Sequence, residues 1–245
     1  MIRLCAGRRF LFTVLSSTLP FLLPAVARGQ AFPDRVAEFI PGFSSPGTTV
    51  TFGADYFPDN VLGPPNGSVG GYVPTESPMD LLSLGNGGSI TLEFTSNIIV
   101  DGPGPDFTIF ENPVAYLQYP EKSFVEAAIV SVSEDGITWT TFPFDFVPPE
   151  NPSPVGIPFE LYDMDRYIGF AGIRPVYSSP SNGISPFDPA VSGGDSFDLA
   201  QIGVERARFI RITDTGTTGP TQTVDPDGDI VTDPGNYLFG TETAG

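Results

Sequence analysis

Proline and glycine recur so often in this chain that a helix of ordinary length has no room to form. They hold more than a fifth of the positions, 28 glycines and 27 prolines among 245 residues. Proline lacks the N–H that a helix or ladder needs, and glycine invites unusual backbone angles. Such a composition also marks disordered tracts, but those lack aromatics, and 21 phenylalanines accompany these breakers. Turns between many short strands account for both facts. No stretch shows sustained helical spacing.

The clearest strands lie within residues 84–112. Ile90, Leu92 and Phe94 share one face and Thr91, Glu93 and Thr95 the other, the period-two signature of a half-buried strand. Gly102-Pro103-Gly104-Pro105 must then turn the chain. Phe107 to Glu111 is apolar on both faces, as suits a strand covered on both sides. Asp106 stands at its entrance and Glu111 at its end.

The first 31 residues read as a removable leader. Arg3, Arg8 and Arg9 precede an apolar run from Phe10 to Ala27, with small residues at Ala27, Gly29 and Ala31. That is the order of a secretory signal peptide, and Ser16, Ser17, Thr18, Pro20 and Pro24 interrupt the run, against a retained membrane anchor. Cleavage is expected after Ala31, with Ala27 and Gly29 as rivals. Cys5, the single cysteine, precedes the apolar run and is badly placed for lipid attachment. The mature chain, residues 32–245, keeps seven basic groups against 29 acids, a net charge of −22, with no cysteine and no histidine. Disulfides, thiolate or imidazole metal sites, cysteine nucleophiles and histidine bases are therefore excluded. This charge repels nucleic acid and anionic membrane and favours divalent cations. About 214 residues suffice for one all-β domain.

Further along, Thr48–Gly53 is a short strand candidate and 113–124 an aromatic loop. Ala128, Val130 and Val132 alternate with Ile129, Ser131 and Ser133. Glu134-Asp135-Gly136 turns the chain, and Ile137–Phe142 returns, a hairpin signal because Asp and Gly both tolerate positive φ. Residues 143–158 hold six prolines and form a surface excursion. Arg166–Ile173 and Arg206–Thr213 are the remaining strands, and Tyr237-Leu238-Phe239 hints at more structure.

Two stretches resemble the discoidin or galactose-binding-like β-sandwich. Val130-Ser-Val-Ser-Glu-Asp-Gly-Ile-Thr-Trp139 is similar to its hairpin, and Ala207-Arg-Phe-Ile-Arg-Ile212 to its arginine-rich later strand. A wider resemblance rests on Asn60-Val-Leu-Gly-Pro-Pro-Asn-Gly67, Ser83-Leu-Gly-Asn-Gly-Gly-Ser89, Asp101-Gly-Pro-Gly-Pro-Asp-Phe107 with Phe110-Glu-Asn112, Gly194-Asp-Ser-Phe-Asp-Leu-Ala200 and Arg211-Ile-Thr-Asp214. Together these resemble exported bacterial cell-surface proteins that often carry a Pro-Glu-Pro sorting tail. The resemblance implies an all-β fold, a single jelly-roll β-sandwich, and a secreted or surface location. Such proteins tend to close with a Phe-Asp-Leu-Asp strand and sometimes an anchor. This chain instead ends at Gly240-Thr-Glu-Thr-Ala-Gly245, so a shortened final strand is expected.

Three uses are open to the acids. Asp106 and Glu111 cap a loop and pair with an arginine, or join Asp195 and Asp198 in an all-oxygen cage for Ca²⁺, or form a catalytic carboxylate pair. Asp225-Pro-Asp227-Gly228-Asp229, with Asp233, is similar to a calcium loop, but its glycine falls too early for EF-hand spacing, and a solvated acidic turn explains it equally well. Trp139 is expected in the core. Tyr116 and Tyr119 are candidates for stacking on a sugar. Arg206, Arg208 and Arg211 concentrate three of the seven mature basic groups in one strand, where they pair with internal carboxylates or, as the galactose-binding resemblance implies for Arg208 and Arg211, meet a ligand. The expected function is a non-catalytic exported binding module, calcium-stabilised and directed at an extracellular glycan or cell-surface component. It binds no nucleic acid and enters no membrane after signal removal. A carboxylate-dependent glycan-active enzyme and a structural component of a surface layer are the alternatives.

Overall fold

Breakers at this density leave strands of two to six residues, and that is what forms. A computed structural model describes residues 3–6, 31–45, 48–49, 52–71, 75–150, 157–216 and 221–234. Tyr237-Leu238-Phe239 lies outside them. In chain order the strands are β1 (Arg3–Ala6), β2 (Arg35–Ile40), β3 (Phe43–Ser45), β4 (Thr48–Thr49), β5 (Ser89–Glu93), β6 (Ile99–Val100), β7 (Phe107–Phe110) and β8 (Val114–Tyr116). They continue with β9 (Tyr119–Phe124), β10 (Ala128–Ser133), β11 (Thr140–Thr141), β12 (Asp145–Phe146), β13 (Tyr167–Ile168), β14 (Asp195–Phe197), β15 (Arg206–Ala207) and β16 (Phe209–Asp214). Helical elements such as Phe159–Tyr162 and Leu199–Ile202 are four-residue 3₁₀ turns. Among the described residues the regular structure is mostly strand with little helix, compatible with an all-β chain.

The largest sheet is antiparallel, in the order β11-β10-β16-β5-β2. Its inward row holds the alternating residues read from the sequence: Ile90 and Leu92 of β5, Val130 and Val132 of β10, Ile210 and Ile212 of β16. The same hydrophobic cluster takes in Phe107 and Ile109 of β7 and Phe197 of β14. Phe107, Phe142 and Phe197 meet ring against ring, with centroids 4.9 to 5.8 Å apart. β7 pairs with β14 on one side and, on the other, with β1, a strand inside the stretch expected to be a removable leader, Arg3 opposite Phe110 and Ala6 opposite Phe107. All four residues of β7 are buried, and loss of the leader would leave that edge to β14 alone. A second cluster, around Phe146, Tyr167, Phe170 and Ile173, takes in Phe144, Phe146 and Ile157 from the proline-rich stretch.

Thr91 and Glu93, expected on a half-exposed face, are buried as well. Polar pairing across the strands covers them: Arg35 binds Glu93, and Arg211 Nε donates to Thr91 Oγ1 at 3.2 Å. Trp139 belongs to this outer face and not to the core. Arg211 stacks on its ring at 3.9 Å, and Phe209 meets it edge-on. The Asp-Gly hairpin is wider than a two-residue turn. β10 pairs with Thr140–Thr141, and only Gly136 takes a positive φ, of 76°. Asp135 organises the intervening loop by accepting the N–H groups of Ile137 and Thr138. Backbone donors hold its carboxyl down at about 2, against slight desolvation. The stretch 113–124, expected as a loop, is the hairpin β8–β9. Arg166–Ile173 stops being a strand after Ile168, because Gly169 turns with φ 76°.

Candidate ligand-binding site

The motifs behind the family resemblance prove to be loop ties. Asn60 Nδ2 donates to the carbonyls of Gly53, Pro78 and Leu81. Gly67 lies so close to the Val176 carbonyl that a Cβ would stand 2.3 Å from its oxygen. Asp214 takes the Gly87 N–H from 127 residues away, and Asp195 takes the Ile173 and Arg174 N–H groups with the Arg174 guanidinium. A chain without disulfides and with few cations uses aspartate to join distant segments, since an ionised carboxylate is a strong acceptor of backbone N–H.

Three such ties shape one end of the molecule. Asp34 accepts from Thr95 N, Thr95 Oγ1 and Ser96 Oγ at 2.8 to 2.9 Å. Desolvation pulls its carboxyl up, but these donors outweigh it and hold it below the usual range. Arg208 Nη1 donates to the carbonyls of Phe94, Thr95 and Asn97, closing the turn after β5. Asp106 accepts the Gly102 N–H on one oxygen and the Leu199 N–H on the other, both at 2.8 Å, so the Gly-Pro-Gly-Pro loop is clamped to the turn at Asp198. Between these loops and residues 186–189 lies a cavity of about 890 Å³, a size suited to a small ligand. Phe94, Ile99 and Phe107 form its apolar wall, and Asp101, Asp188 and Arg208 bring charge to it. Phe187, 43% exposed, offers a ring face at the mouth.

The four acids expected to share a metal do not gather as one set. Asp106 and Asp198 are joined by Asp101, one carboxylate oxygen from each lying within 4.8 Å of the others, and this trio could hold a cation. Burial raises the Asp106 carboxyl, its two N–H donors oppose that, and the charges of Asp198 and Asp101 add to the rise. Asp198 also caps the following 3₁₀ turn by accepting the Ala200 N–H. Asp195 and Glu111 are not in the trio. Asp195 is pushed up to about 6 by burial, against its N–H donors and Arg174. Glu111 is buried, accepts the Asn112 N–H, and lies against Gly172.

The expected ligand residues occupy three places. Tyr116 and Tyr119 flank the β8–β9 turn and pack edge-on against Phe159, and Tyr116 also meets Tyr162 at 4.9 Å. Burial and the Tyr116 hydroxyl push the Tyr162 hydroxyl up to about 12. Lys122, bound to Asp163, lies over the Phe159 ring at 4.3 Å. Tyr119 and Phe159 stay 41% and 45% exposed, so this cluster is a second aromatic surface. Arg208 stands on the cavity wall. Arg211 is committed to Trp139, Thr91 and Glu38 on the outer face of the sheet, far from any role at the cavity's polar wall. In the Asp225–Asp229 loop, Asp225 accepts the N–H groups of Phe146, Asp227 and Asp229 and ties that loop to β12.

Sequence reasoning passed over Phe187, Asp101 and Asp188 as site residues, along with Phe159 and Tyr162. Each is an ordinary residue in a turn-rich stretch, and only the folding together of loops 94–106 and 186–189 gives the first three a common purpose. Among the described residues no helix is long and apolar enough to cross a membrane. No protein-family model, curated protein or solved structure matches the chain.

Proposed function

We propose that this chain is an exported, non-catalytic binding module, a jelly-roll β-sandwich of galactose-binding-like type, secreted or held at a cell surface and directed at an extracellular glycan. The cavity carries this reading. It combines a guanidinium, an exposed carboxylate and hydroxyl groups with ring faces, and a sugar presents the matching features, hydroxyls around its edge and apolar C–H groups on its face. The ring quadrupole attracts those C–H groups, and the polar groups fix orientation. Tyr119 and Phe159 supply a second exposed ring surface for a longer chain.

A carboxylate-dependent enzyme fits less well. Both oxygens of Asp106, the raised carboxyl at this end, are occupied by backbone N–H groups, which favour its charged form and leave it a clamp and not a proton shuttle. Calcium belongs to the proposal at Asp101, Asp106 and Asp198 in place of the four-acid set, because this trio offers hard oxygen donors alone.

Retention of the exported protein on immobilised polysaccharides tests the reading. Saturable retention without release of sugar is expected, weakened at least tenfold by Phe187→Ala and less by Tyr119→Ala. Release of sugar that stops in Asp101→Asn would establish the enzyme instead. Ordered self-assembly with no retention on any glycan would establish the structural role.

A further inference from the structure

One wall of the cavity changes chemistry when the chain is processed. Ala31 lines the cavity and is the last residue of the proposed leader, so the inference rests on the export reading above. The residues after it are anchored by their own contacts. The Phe32 ring packs on Phe187 at 5.5 Å and against the buried pair Phe110 and Val176. Two positions on, the Asp34 carboxylate is fixed to Thr95 and Ser96, which also line the cavity. The backbone nitrogen of residue 32 precedes both anchors and directly follows a wall residue, Ala31.

The charged groups around this rim are mostly acidic. They are Asp101 and Asp106 from the 101–106 loop, Asp188 from the loop that carries Phe187, and Asp34 on the segment itself, with Arg208 as the cation on the wall. Asp34 and Asp106 are engaged with N–H and O–H donors. Asp188 spends Oδ1 on the Ala190 N–H and is otherwise exposed, and Asp101 is exposed too. Among the described residues neither Asp101 nor Asp188 has an ion-pair partner.

In the uncut chain the nitrogen of residue 32 is a neutral amide. Hydrolysis of the Ala31–Phe32 bond consumes one water, leaves the carboxylate on Ala31, and frees an amine that takes a proton at neutral pH. We propose that the Phe32 α-ammonium is a working part of the cavity: it pairs with the Asp188 carboxylate, fastens the 186–189 loop to the first residue of the mature chain, and gives a bound glycan a second cationic donor beside Arg208. The precursor lacks this donor, so leader removal completes the site. An opposite charge within a few ångströms favours the ionised amine.

The test uses exported protein as the cell processes it. N-terminal sequencing reads the start, and ¹³C-methylation of the α-amine with pH-dependent NMR reads its pKa. The expected start is Phe32, with an α-amine titrating at least about one unit above the ordinary 7.7–8.0. Asp188→Asn removes at least half of that elevation, and Asp227→Asn, a remote control for overall charge, leaves it unchanged. A start elsewhere overturns the leader reading and this inference with it. A start at Phe32 with an ordinary pKa, or an elevation that Asp188→Asn changes no more than Asp227→Asn does, overturns the inference and leaves the export reading standing.

Discussion

The outer face of the five-stranded sheet and the cavity end treat charge in opposite ways. On the sheet Arg35 meets Glu93, and Arg211 meets Glu38 and the Trp139 ring. Elsewhere Lys122 and Arg166 share Asp163, and Arg174 takes Asp195. With only seven basic groups in residues 32–245, these pairings use up most of the cations there. At the cavity end the carboxylates outnumber Arg208, and those of Asp101 and Asp188 face solvent without an ion partner among the described residues. The sheet spends charge on holding strands together. The cavity end keeps buried aspartates as clamps and leaves the rim acids over, and leftover groups beside a cavity are the ones a ligand or cation can use.

The largest expected effect separates clamp from rim. Asp106→Ala strands the buried Leu199 N–H, at about 1–3 kcal/mol, and releases the Gly102 N–H, which belongs to an exposed residue, so urea unfolding followed through Trp139 fluorescence should lose about 1–3 kcal/mol. Asp101→Ala, on the exposed rim, should change stability by under about 0.5 kcal/mol. Equal losses would erase the distinction.

Acid sharpens it next. Asp195 titrates at about 6 in the fold against 3.8 for the ordinary group, and Asp106 and Asp214 shift the same way through burial. The folded state binds these protons more tightly than the unfolded chain, so stability rises as pH falls from about 6 towards 3.8. Asp135, at about 2, and Asp34 and Asp225, both lowered, act oppositely. Their contribution holds above 3.8 and is lost as pH falls towards 2. Melting temperature should therefore peak between about pH 4 and 5, and a curve falling steadily from neutral pH would show that the buried clamps are not raised.

Arg211→Gln should cost about 0.5–2 kcal/mol through the lost stacking on Trp139, with a change in tryptophan emission and no change in glycan retention. Loss of retention would place the ligand on the sheet. The smallest effect concerns the trio of acids. At constant ionic strength Ca²⁺ should raise the melting temperature above its value in Mg²⁺ by under about 3 °C, on the order of the shift 1 kcal/mol gives a domain of this size, and Asp101→Asn should remove the difference. Identical curves in both ions would free the rim of any cation role.

How much of this was legible follows from where each partner lies. Ile90, Leu92, Val130 and Val132 show their burial through period-two alternation, a local signal, and β7 shows it through being apolar on both faces. The β8–β9 hairpin hides because Pro120, Glu121 and Lys122 break the apolar rhythm of β9, which pairs on one side with β8 alone apart from a bridge at Lys122. Of the four acids read as one cage, Asp106 and Asp198 stay together, while Asp195 is drawn to the backbone N–H groups of Ile173 and Arg174, more than twenty residues away, and no spacing announces such a partner. Trp139 follows the same logic. Its place on the outer face depends on Arg211 lying opposite, across β10 and β16.

The turns also bear on how the protein ages. Asp-Gly bonds are weak points in any long-lived chain, because the glycine nitrogen can attack the preceding carboxyl and convert the residue to isoaspartate through a cyclic imide. This sequence has three, at 101–102, 135–136 and 227–228. In the fold each glycine N–H is already given away: Gly102 to Asp106, Gly136 to Ser133 Oγ, and Gly228 to the Asp225 carbonyl. A nitrogen pinned by its own hydrogen bond is turned away from the attack. The same ties that shape the loops therefore protect them, and the turns keep their chemistry intact for as long as the chain stays folded.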